Sequence, residues 1–429
     1  MVETSGLPAR RACLRMLDAV SRRGDTLDVA FEQATRNLRP ADAGLARAIA
    51  SEVLRWLVDL DNAIDSVTRQ PLAPDAKARM VLRMMLAQAW RLGSPAHAIV
   101  ATGLPLLTGG PRRLTHGVFS TLMKRPSALG ATPTLPAEVQ ARWQDAWPGR
   151  LPFIAAALAE PPPLDLTLRE FAQTADWAAR LDASVLDEGH LRLARGRNVT
   201  DLPGYAEGAW WVQDIAASIP ARLLGSGKGR SVLDLCAAPG GKTMQLCAAG
   251  WKVTALDSSA RRLALLKDNL RRTGLAAHTI QADARDWAPP LDDDRQSHGG
   301  FDAILLDAPC TATGTCRRHP DVLHRISSRQ IADQTLLQAD LLTRARQWLA
   351  PEGTLVYAVC SLEPEEGEQQ AQACVSPDLD QGLVTDPIRA EELPFGLEPD
   401  DQGWVRTDPG MLSEPGGMDG FFIARFKPG

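Results

Sequence analysis

Residues 231–257 read SVLDLCAAPGGKTMQLCAAGWKVTALD, and this stretch decides the fold. An apolar run, SVLDL (231–235), breaks at a turn carrying Pro239, Gly240 and Gly241, and a second apolar run, KVTALD (252–257), follows. Five- or six-residue apolar runs separated by helices are the pattern of a parallel sheet covered on both faces. The pattern continues downstream as HTIQAD (278–283), FDAILLD (301–307) and TLVYAVCS (354–361). Helices are predicted over 259–272, stopping at Gly274, and over 328–349, stopping before Pro351-Glu352-Gly353. A last apolar strand, GFFIAR (420–425), is expected to add antiparallel to an edge. Residues 226–429 therefore read as an α/β, Rossmann-like domain.

Upstream the period changes. Over 9–125, apolar residues such as Leu14, Leu17, Val20, Val53, Leu54, Leu57 and Leu60 recur at spacings of three and four, which predicts helices joined by short turns. Gly109-Gly110-Pro111 and the Ser/Gly/Thr/Pro stretch from Pro126 to Pro136 punctuate the pattern, so an all-α domain is placed over 1–130. Residues 131–225 read as linker helices and a small α+β domain of RRM-like type, with strands near 164–168, 191–193 and 210–212 and a helix near 174–181. The fold class is multidomain: all-α, then a small α+β unit, then α/β.

At 429 residues, 45% hydrophobic and 23% charged, the chain is long enough for several cores and lacks a disordered composition. No apolar run is long enough to span a membrane, and no membrane partner is expected. The start, with Glu3, Pro8 and arginines inside the next apolar stretch, does not read as a secretory signal, so a cytoplasmic, monomeric protein is expected. Seven cysteines without a C-x-x-C pair argue against a disulfide framework and a zinc ribbon. No metal is expected, even though Cys316 and His324 lie close in sequence. Charge is uneven: residues 1–130 hold 18 Lys and Arg against 11 Asp and Glu, a balance of +7, on a chain whose net charge is -5. That split suggests local contact with a polyanion as readily as it describes a solvated helical face.

Ligands of an open parallel sheet sit beyond the carboxyl ends of its strands, and here those ends are rich in chemistry. After Asp234 comes Cys236-Ala237-Ala238-Pro239-Gly240-Gly241-Lys242-Thr243, a turn that permits close backbone approach and leads into a helix N-terminus. It matches neither the dinucleotide nor the phosphate-loop spacing. Asp257 ends the second strand where a carboxylate can accept from a ribose diol, and Asp283 ends the third, placed to meet an adenine amino group. An adenosyl ligand without a long phosphate chain fits, and S-adenosylmethionine fits better than NAD or ATP.

The fourth strand ends Asp307-Ala308-Pro309-Cys310 and the fifth ends Cys360-Ser361. Two thiols and a carboxylate near a methyl donor suit methylation of cytosine C5. That carbon is a weak nucleophile until a thiolate adds at C6, which calls for a cysteine, an acid at N3 and a base for the C5 proton. A single cysteine is more often a small buried hydrophobe. Two at functional strand ends reverse that expectation.

These residues resemble the RNA cytosine-C5 methyltransferases of the Sun/NOL/NOP family. The matching strings are LDLCAAPGGKT (233–243), LDAPC (306–310) with RRHPD (317–321), GTLVYAVCS (353–361) and DGFF (419–422), over roughly 205–429. The run LRPADAGLARAIASEVLRWLVDLDNAI (38–64) is similar to a NusB-type RNA-binding domain. The resemblance implies that Cys236, Ala237, Ala238, Pro239, Gly240, Gly241, Lys242, Asp257, Asp283 and Asp307 bind S-adenosylmethionine or border it, and that Cys360 is the nucleophile. It gives Cys310 a part in proton removal or product release and places Asp307 near the base. Lys242 either takes part in catalysis or caps its turn and pairs with Asp307. The implied partner is RNA, with small-subunit (16S) ribosomal RNA foremost. Arg317, Arg318 and His319 are candidates for phosphate contacts, and Val212-Gln213-Asp214 for an approach to RNA.

Two positions depart from the family pattern: Val359 stands where Thr is usual, and Thr311-Ala312 where Ser-Gly is usual. Val359 is expected to point away from the site if Cys360 points in. The alternatives are the same chemistry on tRNA or another RNA, a non-catalytic NusB-like assembly factor, and a DNA cytosine methyltransferase. The last leaves Cys360 unexplained, and a pure binding factor has no need of Asp307, Cys310 and Cys360 together.

Overall fold

The computed structural model describes residues 6–289, 300–375 and 382–429, so Glu3 lies outside the described residues. It divides into two compact units: the chain up to Pro161 together with Cys316–Ile326, and Pro162–Thr315 together with Ser327–Gly429.

The first unit is all-α. Helix Lys77–Trp90 is its centre, with every residue from Ala78 to Gln88 buried, including Arg79, Arg83 and Gln88. Met16, Leu17, Ile49, Val53, Leu60, Ile99 and Phe119 from the surrounding helices complete one core. The arginines on the central helix are not solvated: Arg83 makes two 2.7 Å hydrogen bonds to Asp61, and Arg79 pairs with Asp61 and Asp65. Helices Ala137–Ala146 and Leu151–Ala157 fall within this unit rather than with the small α+β region, so the compact boundary lies near 161 and not near 130. The segment Cys316–Ile326 is bound here as well. Asp321 Oδ2 accepts from the backbone N–H of Leu27 (3.2 Å), His324 Nε2 lies 2.6 Å from the Leu54 carbonyl, and Arg55 donates to the Arg317 carbonyl (2.9 Å).

The second unit contains two sheets. The smaller has strands β1 (Leu164–Leu168), β2 (Ser184–Asp187), β3 (His190–Leu193) and β4 (Trp210–Val212) in the order β2-β3-β1-β4, with every pair antiparallel. This is the order of a βαββαβ motif. Helix Thr174–Leu181 supplies the first crossover, and a short turn, Val199–Asp201, stands in the second.

The larger sheet holds β5 (Ser231–Leu235), β6 (Lys252–Asp257), β7 (His278–Gln281), β8 (Phe301–Asp307), β9 (Leu349–Val359), β10 (Leu383–Thr385), β11 (Val405–Arg406) and β12 (Phe422–Pro428). Its order is β10-β12-β9-β8-β5-β6-β7, with β11 also on β12, and β5 to β9 are mutually parallel. The chain steps from β5 outward to β7, then returns to β8 on the other side of β5. This reversal opens a crevice beyond the carboxyl ends of β5 and β8. The terminal strand pairs antiparallel with β9 as expected, but it is not the edge, because β10 and β11 pair beyond it. The helix caps follow the sequence closely: Ser259 and Gly274 bound Ala260–Thr273, and Ser327 with Gln330 forms a capping box on Ser328–Gln347.

Candidate active site

The turn after β5 is built from backbone. Cys236 (φ 60°) and Gly240 (φ 106°) both take left-handed conformations, which turn the chain sharply into helix Gly241–Ala248. A Cβ on Gly240 would meet Leu266 Cγ at 3.0 Å, so glycine is required there for both backbone and space. The carbonyls of the turn are drawn toward the neighbouring helix: Arg262 donates to the Ala238 carbonyl and Asn269 to that of Pro239 (3.0 Å). The first N–H groups of Gly241–Ala248 have no intrahelical acceptor, and the helix begins a few residues beyond the carboxyl end of β5.

Asp257, only 2% exposed, accepts from the backbone N–H of Ala238 (3.1 Å) with one oxygen and from that of Ser259 (2.9 Å) with the other. Each carboxylate oxygen keeps a further acceptor site. Asp283 lies two residues past β7 and is held by Arg285, which pulls its carboxyl below the ordinary range. Beneath the turn, Asp234 is fully buried and accepts from the Thr243 hydroxyl, while its Oδ1 has no hydrogen-bond partner among the described residues. Burial raises its pKa to about 7. A glycine-lined backbone cradle, free N–H groups and carboxylates with spare acceptor sites suit a nucleoside that carries hydroxyls and an amino acid moiety, and S-adenosylmethionine is such a molecule.

Strands β8 and β9 bring the second half together. Their register sets Asp307 opposite Ala358, so residues 307–310 and 360 leave the sheet side by side. Cys310 Sγ and Cys360 Sγ are 3.4 Å apart, both half-buried. The hydrogen bond to Cys360, followed by burial, pushes the Cys310 thiol well above its ordinary range. Lys242 Nζ lies 2.7 Å from Asp307 Oδ2 and 5.2 Å from the centre of the Phe421 ring. This is the pairing role named for Lys242 from sequence. Val359 is buried in the cluster against which Cys310 packs, whereas Cys360, one residue on, packs against the other cluster of the sheet, as the alternation of a strand requires.

Three features were not visible in the sequence. Glu366, fully buried, joins the residues that follow the two cysteines. Gly314 and Gly420 cross backbone on backbone: a Cβ on Gly314 would lie 2.0 Å from the Gly420 carbonyl oxygen, and the Gly420 N–H donates to the Gly314 carbonyl at 2.8 Å. This crossing gives the glycine of the DGFF string a reason. The only sequence signal was that the string matched the family. Third, Gln213 and Asp214 are structural. Gln213 is buried between Trp211 and Gln245, and Asp214 caps helix Ile215–Arg222 while accepting from the Asp419 N–H (3.0 Å), so an approach of these side chains to RNA is corrected. The phosphate role expected of Arg317 is corrected as well, since its side chain is buried.

Comparison with known proteins bears on the same two regions. The family model described as 16S rRNA methyltransferase RsmB/F matches residues 221–427, and that of the NusB family matches 7–106. The chain is 32% identical to the ribosomal RNA small subunit methyltransferase B of Klebsiella pneumoniae, over 97% of each chain. It is 31% identical to the protein of that name from Vibrio vulnificus, over 97% of this chain and 98% of that one. A crystal structure of a methyltransferase homologue from Pyrococcus horikoshii is 27% identical, with a TM-score of 0.52 over 68% of this chain and 94% of that one. The crystal structure of PH0851, at 20% identity, shares the fold with a TM-score of 0.73 over 98% of both chains.

Proposed function

The chain belongs to the family of ribosomal RNA small subunit methyltransferase B and is an rRNA methyltransferase, and from that premise we propose that it uses S-adenosylmethionine to methylate C5 of a cytosine in 16S rRNA through a covalent bond between Cys360 and C6. The observation that carries this reading is the 3.4 Å approach of Cys310 and Cys360 at the ends of adjacent parallel strands, beside Asp307.

Bound S-adenosylmethionine supplies an electrophilic methyl group. The turn from Cys236 to Lys242, with Asp257 and Asp283, holds it by backbone N–H groups and carboxylate acceptors. The remaining work falls to the thiols and the Lys242–Asp307 pair. The Cys360 thiolate attacks C6, the C5–C6 π electrons move into the ring, and a proton from the Asp307 side is taken at N3, which leaves an enamine that is nucleophilic at C5. Lys242 holds the Asp307 carboxyl in place for the ring edge. After the methyl group is on C5, the C5 proton is removed, the C6–S bond breaks and N3 returns its proton to the Asp307 side, restoring the ring and the Cys360 thiolate. Cys310 is assigned that proton, which it takes as a thiolate after its own proton has left to solvent. Among the described residues no helix is long and apolar enough to cross a membrane.

The test is a map of 5-methylcytosine in total RNA from cells with and without the protein. One small-subunit rRNA position that loses the mark and regains it on complementation is expected. Loss confined to tRNA moves the substrate, and no change anywhere overturns the reading.

A further inference from the structure

One carboxylate stands behind both thiols. Glu366 Oε1 accepts from the backbone N–H of Thr311 (2.9 Å) and from Gln338 Nε2 (3.1 Å), and its Oε2 accepts from the hydroxyls of Thr311 and Ser361. Thr311 directly follows Cys310 and Ser361 directly follows Cys360, so a single side chain ties the exits of β8 and β9 together. Glu366 is itself held, because the Tyr357 hydroxyl donates to its backbone carbonyl at 2.6 Å. A second tie runs through the same place: the Ser361 and Thr313 hydroxyls are 3.2 Å apart, and the Gly314 N–H donates to the Cys360 carbonyl at 3.0 Å.

We propose that Glu366 is a positioning residue for the thiol pair: by gripping Thr311 and Ser361 at once, it sets the separation and facing of Cys310 and Cys360. The proposal rests on the assignment of those thiols as base and nucleophile. It also accounts for a departure from the family pattern. Thr311 retains a hydroxyl, and a hydroxyl with an N–H on the same residue is what the carboxylate grips. Glu366 acts on the chemistry through charge as well, since its carboxylate is one of the causes that push the Cys310 thiol up. Buried carboxylates are costly unless fully hydrogen-bonded, and four donors converge on this one.

The experiment uses the full-length protein and phenylarsine oxide, which bridges two thiols only when they face each other closely. Wild type is expected to bind the arsenical, and Cys310→Ser is expected not to, which assigns the capture to this pair. Glu366→Ala should lower capture at least tenfold and kcat on unmethylated small-subunit rRNA at least tenfold, with KM for S-adenosylmethionine within twofold. Glu366→Gln keeps the shape and loses the charge. It should move the limb of the pH–rate profile that reports Cys310 to lower pH, an effect a merely structural residue would not produce. If Glu366→Ala melts cooperatively yet binds the arsenical and turns over like wild type, the proposal is overturned. If Glu366→Ala does not fold, an unchanged capture and pH profile in Glu366→Gln overturns it. Capture that depends on Glu366 in a wild type that methylates no cytosine supports the positioning role and removes the proposed function instead.

Discussion

The central helix of the helical unit and two groups at the strand ends of the sheet unit handle burial differently. In the helical unit, Arg79 and Arg83 on the central helix are only 4% and 5% exposed at the side chain, and each finds carboxylates on the adjoining helix. Arg91 likewise bridges Glu52 and Glu160. In the sheet unit, Arg192 and Asp165 pair in the same manner, and Lys242 pairs with Asp307, but two groups at the strand ends differ. Asp234 keeps an orphan oxygen, and Cys310 faces Cys360. Buried ions that satisfy each other specify packing, whereas buried groups held in an unfavourable state are available for chemistry.

The sharpest way to break that contrast is to remove the thiols one at a time. Cys360→Ala should abolish methylation and any covalent RNA adduct, since no bond to C6 can form. Cys310→Ala should allow the bond but stall its elimination, so that a denaturant-resistant protein–RNA band accumulates. Denaturing gels with unmethylated rRNA read both outcomes. The opposite pattern exchanges the two roles, and no adduct in either variant with unchanged methylation ends the covalent reading.

The next largest effect concerns Asp234. Its folded-state pKa of about 7 lies above the ordinary carboxyl value of 3.8, so the folded protein holds a proton that the unfolded chain has released. The stabilisation is therefore full below the unfolded value and is lost as pH rises from about 4 through 7. Some three pH units of displacement correspond to about 4 kcal/mol between the two limits. Asp234→Asn keeps the shape and an acceptor for the Thr243 hydroxyl but removes the ionisation. Denaturant melts at pH 5 and pH 8 should show wild type losing stability relative to Asp234→Asn. Parallel pH profiles would mean that the carboxyl is ionised throughout.

How far the sequence discloses each region follows from how local each is. The cofactor turn occupies consecutive positions, and its glycines, its strand-end Asp257 and the caps at Ser259 and Gly274 could all be read from one window. The strands and helices of the α/β domain follow the same logic. The support of the thiols could not be read that way. Glu366 reaches Thr311 across 55 positions, and Gly314 meets Gly420 across a still longer span, so only the register of β8, β9 and β12 brings them together. Strands β10 and β11, three and two residues long, are too short to leave a period in the sequence. Arg317 and Gln213 were misread for a related reason. Polar residues beside a motif look solvent-facing until the packing that buries them is known.

A smaller effect is expected at the cofactor. Asp257→Ala should weaken S-adenosylmethionine binding by about 1–3 kcal/mol, the range for losing hydrogen bonds to a charged acceptor. The same substitution frees the N–H groups of Ala238 and Ser259, so part of the loss is expected as a lower melting temperature. Calorimetry on the folded variant separates the two. Affinity equal to wild type would take the ribose role from Asp257 and leave it as a brace for the turn.

The smallest effect tests what remains of the +7 balance of the N-terminal region once its paired arginines are set aside. Arg79, Arg83 and Arg91 are engaged with carboxylates, so they cannot also neutralise phosphates without giving up their helices. Arg112 and Arg113, on helix Gly109–Leu122, are exposed, and Lys124 and Arg125 follow just beyond its end. If this unit binds RNA, these are among the charges available for it, as are the exposed Arg36 and Arg69. Removing one cation that neutralises a phosphate should lower the slope of log affinity against log salt by a little under 1, so Arg112→Ala with Arg113→Ala should flatten it by roughly 1.5. Turnover at saturating RNA should stay near wild type, because neither residue belongs to the sheet unit. Binding measured from low to moderate salt gives the slope. An unchanged slope would show that the exposed arginines of this helix do not touch the nucleic acid.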